Sequence, residues 1–469
     1  MRVVILDWLR ELRASYWFLP ALMALAAVVL SFVCTGIDQW LGLNVLTELG
    51  LLTANQPDGA RAMLSTIAGS MIGVAGVTFS MTMVTVSFAA GQIGPRLMQN
   101  FMRDRGNQVT LGTFIATFMY CLMVLRAVRS GENPVGSAEI GVAAFVPQLS
   151  LLVALLLAVC SVGVLIYFIH HVPESINVSH VIAGVGRDLE RMIDTQFPDR
   201  IGAGTDEALD EEADEAAYAE RMRDTVAVLA KRTGYIRAVD EDAVMRLAQT
   251  HDLFMRLQFR PGDFIQAGQT LVLVGPANRI GQALSQSSRE VFAIGAQRSR
   301  HQNMYFLIDQ LVEIMGRALS PGVNDPFTAM TCMDWLQSVL TTMAGRRIPS
   351  PERYDKNDEL RLVASPITFA GMAERIFDQS VSYVCRDRNA ALHMLKMIGE
   401  VATQIDAGPA RDVMLRHAAQ LRTAAAEGLD LKIDRDAIDE RYQQLLKIVT
   451  QSPEFERRLD DQGWIGGSA

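Results

Sequence analysis

The chain has 469 residues and a formal net charge of −9. That length leaves room for more than one domain, since single domains commonly run to about 100–200 residues, and the acidic balance argues against nucleic acid as a main partner. Hydrophobic residues make up an ordinary 50%, but they crowd the first third while charge dominates the rest; the five cysteines (Cys34, Cys121, Cys160, Cys332, Cys385) form no CxxC pair, so neither a disulfide framework nor a zinc site is indicated.

Residues 1–16 set Arg2, Arg10 and Arg13 among Leu6, Trp8, Leu9 and Leu12, the pattern of a short amphipathic helix lying at a membrane interface. The run from Trp17 to about Gly36 predicts a first span. A cleavable signal peptide fits less well, because no small-residue cleavage pattern follows and further spans come after. Residues 37–60, with Asp38, Trp40, Glu48 and Asp58, read as an outer loop.

The second span, 61–94, organises the rest. It carries no charge between Arg61 and Arg96. Alternating steps of three and four give Thr66, Gly69, Gly73, Gly76, Ser80, Met83, Ser87, Ala90 and Gly94, all small except Met83. This is a seam of period 3.5, and small residues let helix backbones approach closely in lipid. A second small face holds Ala75, Thr78, Thr82, Thr85 and Ala89, with bulky stripes between the two. Either the helix is wedged between neighbours of its own subunit, or one small face packs and the threonine face borders a pore at an oligomer axis. Threonine also bonds back to its own helix carbonyls, so the stripe alone does not mark a water path.

Gln108 to Leu125 predicts the third span, with Thr110, Thr113 and Thr117 on one stripe, and about Gly141 to Phe168 the fourth, ending at His170 and His171. Between them, Gly131, Pro134 and Gly136 supply turn residues. Arginines in the amino-terminal flank and in the 95–107 loop predict that both termini are cytoplasmic. No Asp, Glu, Lys or Arg lies near the middle of a span, which counts against an ion-coupled pump and suits a passive pore or a plain anchor.

The expected fold is thus an α-helical membrane protein with four transmembrane helices and a large cytoplasmic α+β domain. Its parts are an interfacial helix at 1–16, a four-helix transmembrane domain at 17–169, a helical and acidic linker at 170–230, a small β-rich subdomain at 231–280 and a helical domain at 281–469. In the linker, Val178, Ile182, Val185 and Leu189 share one helix face, and the acidic block at 203–217 reads as solvated, without EF-hand spacing. In the β-rich part, Asp240 caps a short helix, Leu253 to Phe259 alternates as a strand, and Pro261-Gly262-Asp263 turns it. The string PGDFIQAGQTLVLVG resembles the half-barrels of biotinyl and lipoyl carrier domains. Those need a lysine at a hairpin tip, and none lies between Lys231 and Lys356, so a small β-sandwich used for subunit contact is the better reading.

Helical spacing resumes at Phe306, Leu307, Leu311, Ile314, Met315 and Leu319. The run 318–326 breaks it, and Asp325-Pro326 fits the cap and first position of a new helix that stops at Gly345. Ser320, Gly322, Asn324 and Asp325 therefore form a structural corner or, with Arg298 and Arg317, an anion loop at a fresh helix N-terminus. A strand at 360–364, helices near 369–385, 388–406, 409–427 and 434–450, and a tail with Ser452-Pro453 and Gly466-Gly467 complete the chain.

Three strings, GSMIGVAGVTFSMTMV at 69–84 continuing to Gly94-Pro95-Arg96, PGDFIQAG at 261–268 and ALSPGVNDPFTA at 318–329, resemble the bacterial family of predicted membrane proteins known as domain of unknown function 2254. The resemblance implies a bacterial inner-membrane protein and carries over no catalytic residue. No GxSxG, HExxH or Walker loop appears. His170 and His171 adjoin Glu174, but consecutive helix residues point about 100° apart, so only one histidine joins Glu174 readily. His251 and His301 read as surface or hydrogen-bonded residues. No catalytic residue, cofactor or metal is expected. Two functions stay open: a homo-oligomeric, channel-like protein gated by its cytoplasmic domain, or a membrane-anchored binding or signalling module. The expected partners are the lipid bilayer and further copies of the chain.

Overall fold

A computed structural model describes residues 15–41, 56–94, 104–130, 145–196, 221–300, 302–346 and 348–450. The interfacial helix before residue 15, the acidic block at 203–217, His301 and the tail after 450 lie outside the described residues. The chain forms two compact units, one over residues 9–177 and the other chiefly over 178–469.

The first unit holds α1 (Phe18–Leu41), α2 (Pro57–Ile93), α3 (Arg105–Ala127) and α4 (Gln148–Ile176), all long and apolar enough to cross a membrane. The 37 residues of α2 correspond to about 55 Å of helix, well beyond a hydrocarbon core of roughly 30 Å. The most buried helix is α3, which packs against the other three. Tyr120, Cys121 and Val124 of α3 meet Leu64 and Ala68 of α2 and Leu151 and Ala154 of α4 in one core. Gly112 explains how closely α1 lies: a Cβ there would sit 2.5 Å from Met23 Sδ and 3.2 Å from Pro20 Cα.

Carboxylates tie the ends of these helices. Asp38 is helical, not part of an outer loop, and accepts from Leu149 N (2.9 Å), Ser150 N (3.0 Å) and Ser150 Oγ (2.7 Å). It thereby satisfies amides at the start of α4 that the N-cap Pro147 has no side chain to reach. At the opposite end of the bundle Asp104 accepts from Gly106 N at 2.9 Å, capping α3, and its second oxygen meets His171 Nε2 at 2.6 Å. Between these ends the Thr117 and Ser161 hydroxyls meet at 3.1 Å, buried.

The second unit begins with α5 (Val178–Gln196) and two small sheets. The strands are β1 (Val226–Leu229), β2 (Gly234–Val239), β3 (Phe254–Leu257), β4 (Phe264–Ile265), β5 (Thr270–Gly275), β6 (Phe292–Gly295), β7 (Glu352–Tyr354) and β8 (Leu360–Val363). The five-stranded sheet runs β1-β5-β3-β8-β7 and the three-stranded sheet β4-β2-β6. Among the described residues only the β3–β8 pairing is parallel. Val228, Met255, Val272 and Val274 of one sheet and Ile236, Val239 and Phe292 of the other share a core with Val244 and Ala248 of α6 (Glu241–His251). The sheets therefore draw strands from outside 231–280. β8 covers the flank of β3 that would otherwise be an open edge.

The helices are α7 (Gln282–Glu290), α8 (Met304–Ala318), α9 (Pro326–Ala344), α10 (Phe369–Val384), α11 (Arg388–Thr403), α12 (Pro409–Gly428) and α13 (Lys432–Thr450). α8 is central: Leu307, Ile308, Leu311, Ile314 and Met315 are all buried, as expected of a helix enclosed by neighbours. α5 packs on α8 and α9, with Gly186 so close beneath the Trp335 ring that no Cβ fits.

Candidate functional site

The two small faces of α2 have different surroundings. Ala75, Thr78, Thr82 and Val86 are buried within the unit, and Thr85 is half-buried. Thr78 Oγ1 donates to Ala75 O at 3.0 Å and Thr82 Oγ1 to Thr78 O at 2.8 Å. With its hydroxyl spent on its own helix, a threonine packs much like valine. On the other side Thr66, Gly69, Gly73, Gly76, Ser80 and Ser87 are exposed. A Cβ built on Gly69, Gly73 or Gly76 would meet nothing within 4 Å. Thr66 Oγ1 donates to Ala62 O at 2.8 Å. The threonine face, set at a pore in one reading of the sequence, thus packs inside this chain, and the glycine seam points outward.

At the 318–326 corner, Asp325 caps α9: Oδ1 accepts from Thr328 N at 3.1 Å and Oδ2 from Thr328 Oγ1 at 2.6 Å. These bonds hold its carboxyl below the usual range. Ser320 Oγ donates to Arg317 O at 2.6 Å, Asn324 N to Ser320 O at 2.9 Å, and Asn324 takes a φ of 50°. Gly322 is exposed with open space around it. The chain's own carboxylate therefore occupies the helix N-terminus where an anion would bind. Nor are the two arginines directed there: Arg298 donates to Asp309 Oδ2 at 2.9 Å, and Arg317 reaches Glu313 at 3.5 Å.

The boundary histidines separate. His170 faces Glu174 at 3.8 Å with its side chain exposed, while His171 joins Asp104 and stacks on Tyr167 at 5.0 Å. Among the described residues no three His, Cys, Asp or Glu side chains converge as metal ligands would.

Sequence reasoning missed two polar clusters in the second unit. Asp309, 4% exposed, takes both Arg375 Nε (to Oδ1) and Nη2 (to Oδ2) at 2.6 Å, as well as Arg298. Asp252 meets Arg279 and Arg361, which hold its carboxyl down at about 2, and Arg361 Nε also donates to Asp355 Oδ2 at 2.7 Å. The signal for the first was an aspartate among apolar residues of α8, a position that demands a partner when buried. The second joins residues far apart in sequence and left no local trace.

The Pro261-Gly262-Asp263 turn docks on the start of α8. Gly262 has a φ of 101° and lies against the Asn303 side chain too closely for any Cβ. Asn303 Oδ1 in turn caps α8 through Phe306 N at 3.0 Å, and Asp263 Oδ2 accepts from Arg260 N at 2.7 Å.

The profile of the family described as "Predicted membrane protein (DUF2254)" matches residues 13–400. Uncharacterized proteins of Mycobacterium bovis and Mycobacterium tuberculosis are 30% identical over 384 residues, which is 80% of this chain and 70% of each relative. No solved structure matches.

Proposed function

The chain belongs to the DUF2254 family of predicted membrane proteins, and from that premise we propose that it is one subunit of a homo-oligomeric, channel-like protein of the bacterial inner membrane. In this reading α2 lies at or near a central pore, both termini are cytoplasmic, and the second unit assembles and gates the particle. The observation that carries it is the exposed seam from Thr66 to Ser87, where a Cβ on Gly69, Gly73 or Gly76 meets nothing within 4 Å among the described residues. Such a surface offers lipid little to grip and offers another helix close backbone contact. The long uncharged course of α2 after Arg61 supports the same reading.

The test combines native mass spectrometry of the detergent-purified protein with ion flux into liposomes. The expected result is several chains per particle and flux above protein-free vesicles, both reduced by Gly73→Leu. A monomer, or an oligomer and flux indifferent to Gly73→Leu, counts against it.

A second reading, a membrane-anchored binding or signalling module without transport, is favoured by the separate core of the second unit. An assembled particle that passes no ion, yet binds a ligand through residues 178–469, selects it.

A further inference from the structure

The second unit holds a partly open cavity of about 370 Å³ where its sheets meet its helices. One wall is the stretch from Leu257 to Asp263 that carries the Pro261-Gly262-Asp263 turn, another is the start of α8, and a third is the strap 364–367 before α10. Its volume falls within the range of roughly 300–1,000 Å³ usual for small-molecule sites, which favour such seams.

Two arginines line it. Arg353 is 6% exposed and donates from Nη1 to Glu352 O at 2.9 Å. Arg260 is half-buried and lines the cavity beside Tyr305. Tyr305 lines the same wall, and burial pushes its pKa up. The apolar residues Leu257, Met304 and Ile367 line the same space. Glu241 and Asp263 also border it. Asp263 is engaged by the turn through the Arg260 amide, and Glu241 sits in the first turn of α6.

We infer that this cavity binds a small organic anion, a carboxylate or phosphomonoester, whose charged end meets Arg260 and Arg353 and whose apolar body lies on Leu257, Met304 and Ile367. The planar guanidinium is the side chain best matched to both kinds of oxyanion, through paired N–H donors. A ligand seated here touches the strands, α8 and the strap at once, so its binding energy stabilises the union of sheets and helices. The inference is independent of whether the spans conduct.

The experiment uses the full chain in nanodiscs of zwitterionic lipid, with binding read by isothermal titration calorimetry. The probes are benzoate and phenyl phosphate against benzyl alcohol and benzylamine. At least one anion is expected to bind with a dissociation constant near or below about 1 mM, while the neutral and cationic probes do not. Arg260→Gln is expected to weaken that binding about tenfold or more. Ser365→Trp, which adds a bulky ring at the cavity wall from the exposed strap, is expected to abolish it at an unchanged melting temperature. Binding of benzyl alcohol or benzylamine as tight as that of the anions overturns the inference. So does anion binding unchanged in Arg260→Gln and Ser365→Trp, or no anion binding at all. Distinct behaviour of benzoate and phenyl phosphate tells a carboxylate site from a phosphate site.

Discussion

Asp309 gathers two arginines from separate stretches, Arg298 before α8 and Arg375 on α10. Both guanidiniums keep about a third of their surface in water, 30% and 33%, so screening lowers the usual cost of breaking a buried pair. Asp309→Ala is expected to destabilise the second unit by roughly 3 kcal/mol, visible in denaturant melts; a loss under about 0.5 kcal/mol contradicts the role given to it. His417 offers a test through pH. It is 3% exposed, its Nδ1 meets Gln420 Oε1 at 2.9 Å, and Asp378 stands at 3.6 Å. Burial pushes its pKa down against the opposing pull of Gln420 and Asp378. Its folded pKa is thus below the unfolded value of about 6.5, so the unfolded chain takes up the proton first. Stability is then intact above that value and declines as pH falls below it toward the folded pKa. The denaturation midpoint of wild type should drop more between pH 7.5 and 5.5 than that of His417→Gln; equal slopes would refute the assignment.

At the scale of elements, the two glycines of α5 make a paired test. Gly186 lies under Trp335, while a Cβ on Gly184 would meet nothing within 4 Å. Gly184→Ala is expected to stabilise by up to about 1 kcal/mol through helix propensity. Gly186→Ala, on the same helix, is expected to cost about 1–3 kcal/mol through overpacking. Melting temperatures that move in the same direction would show that α5 does not pack as described. Asp325 should contribute as a cap, with Asp325→Ala costing about 1 kcal/mol. Its lowered pKa means that this contribution is present above the unfolded carboxyl value and is lost as pH falls through the folded one.

Much at this scale was readable in the sequence because its causes are local. The caps Asp240 and Asp325, the stop at Gly345 and the helices after Phe369 follow from residues within a turn or two of each boundary. Strand partners were not readable: β1 pairs with β5 and β3 with β8, across many residues, and only the closed core selects those pairings. Asp38 was misplaced for the same reason, since its partners are amides of α4. On α2 the period revealed two small faces, but nothing in a period says which one meets α3 and which stays open.

For the whole molecule, the contrast between those faces carries the functional reading. Thr78 and Thr82 are already satisfied inside the chain, so the remaining demand for close contact falls on Gly69, Gly73 and Gly76. The most direct test is a cryo-EM map of the purified full-length particle in lipid. The account predicts more than one chain, with the backbone at Gly69, Gly73 and Gly76 in van der Waals contact with a neighbouring copy. A particle in which those three glycines face acyl chains alone would contradict it.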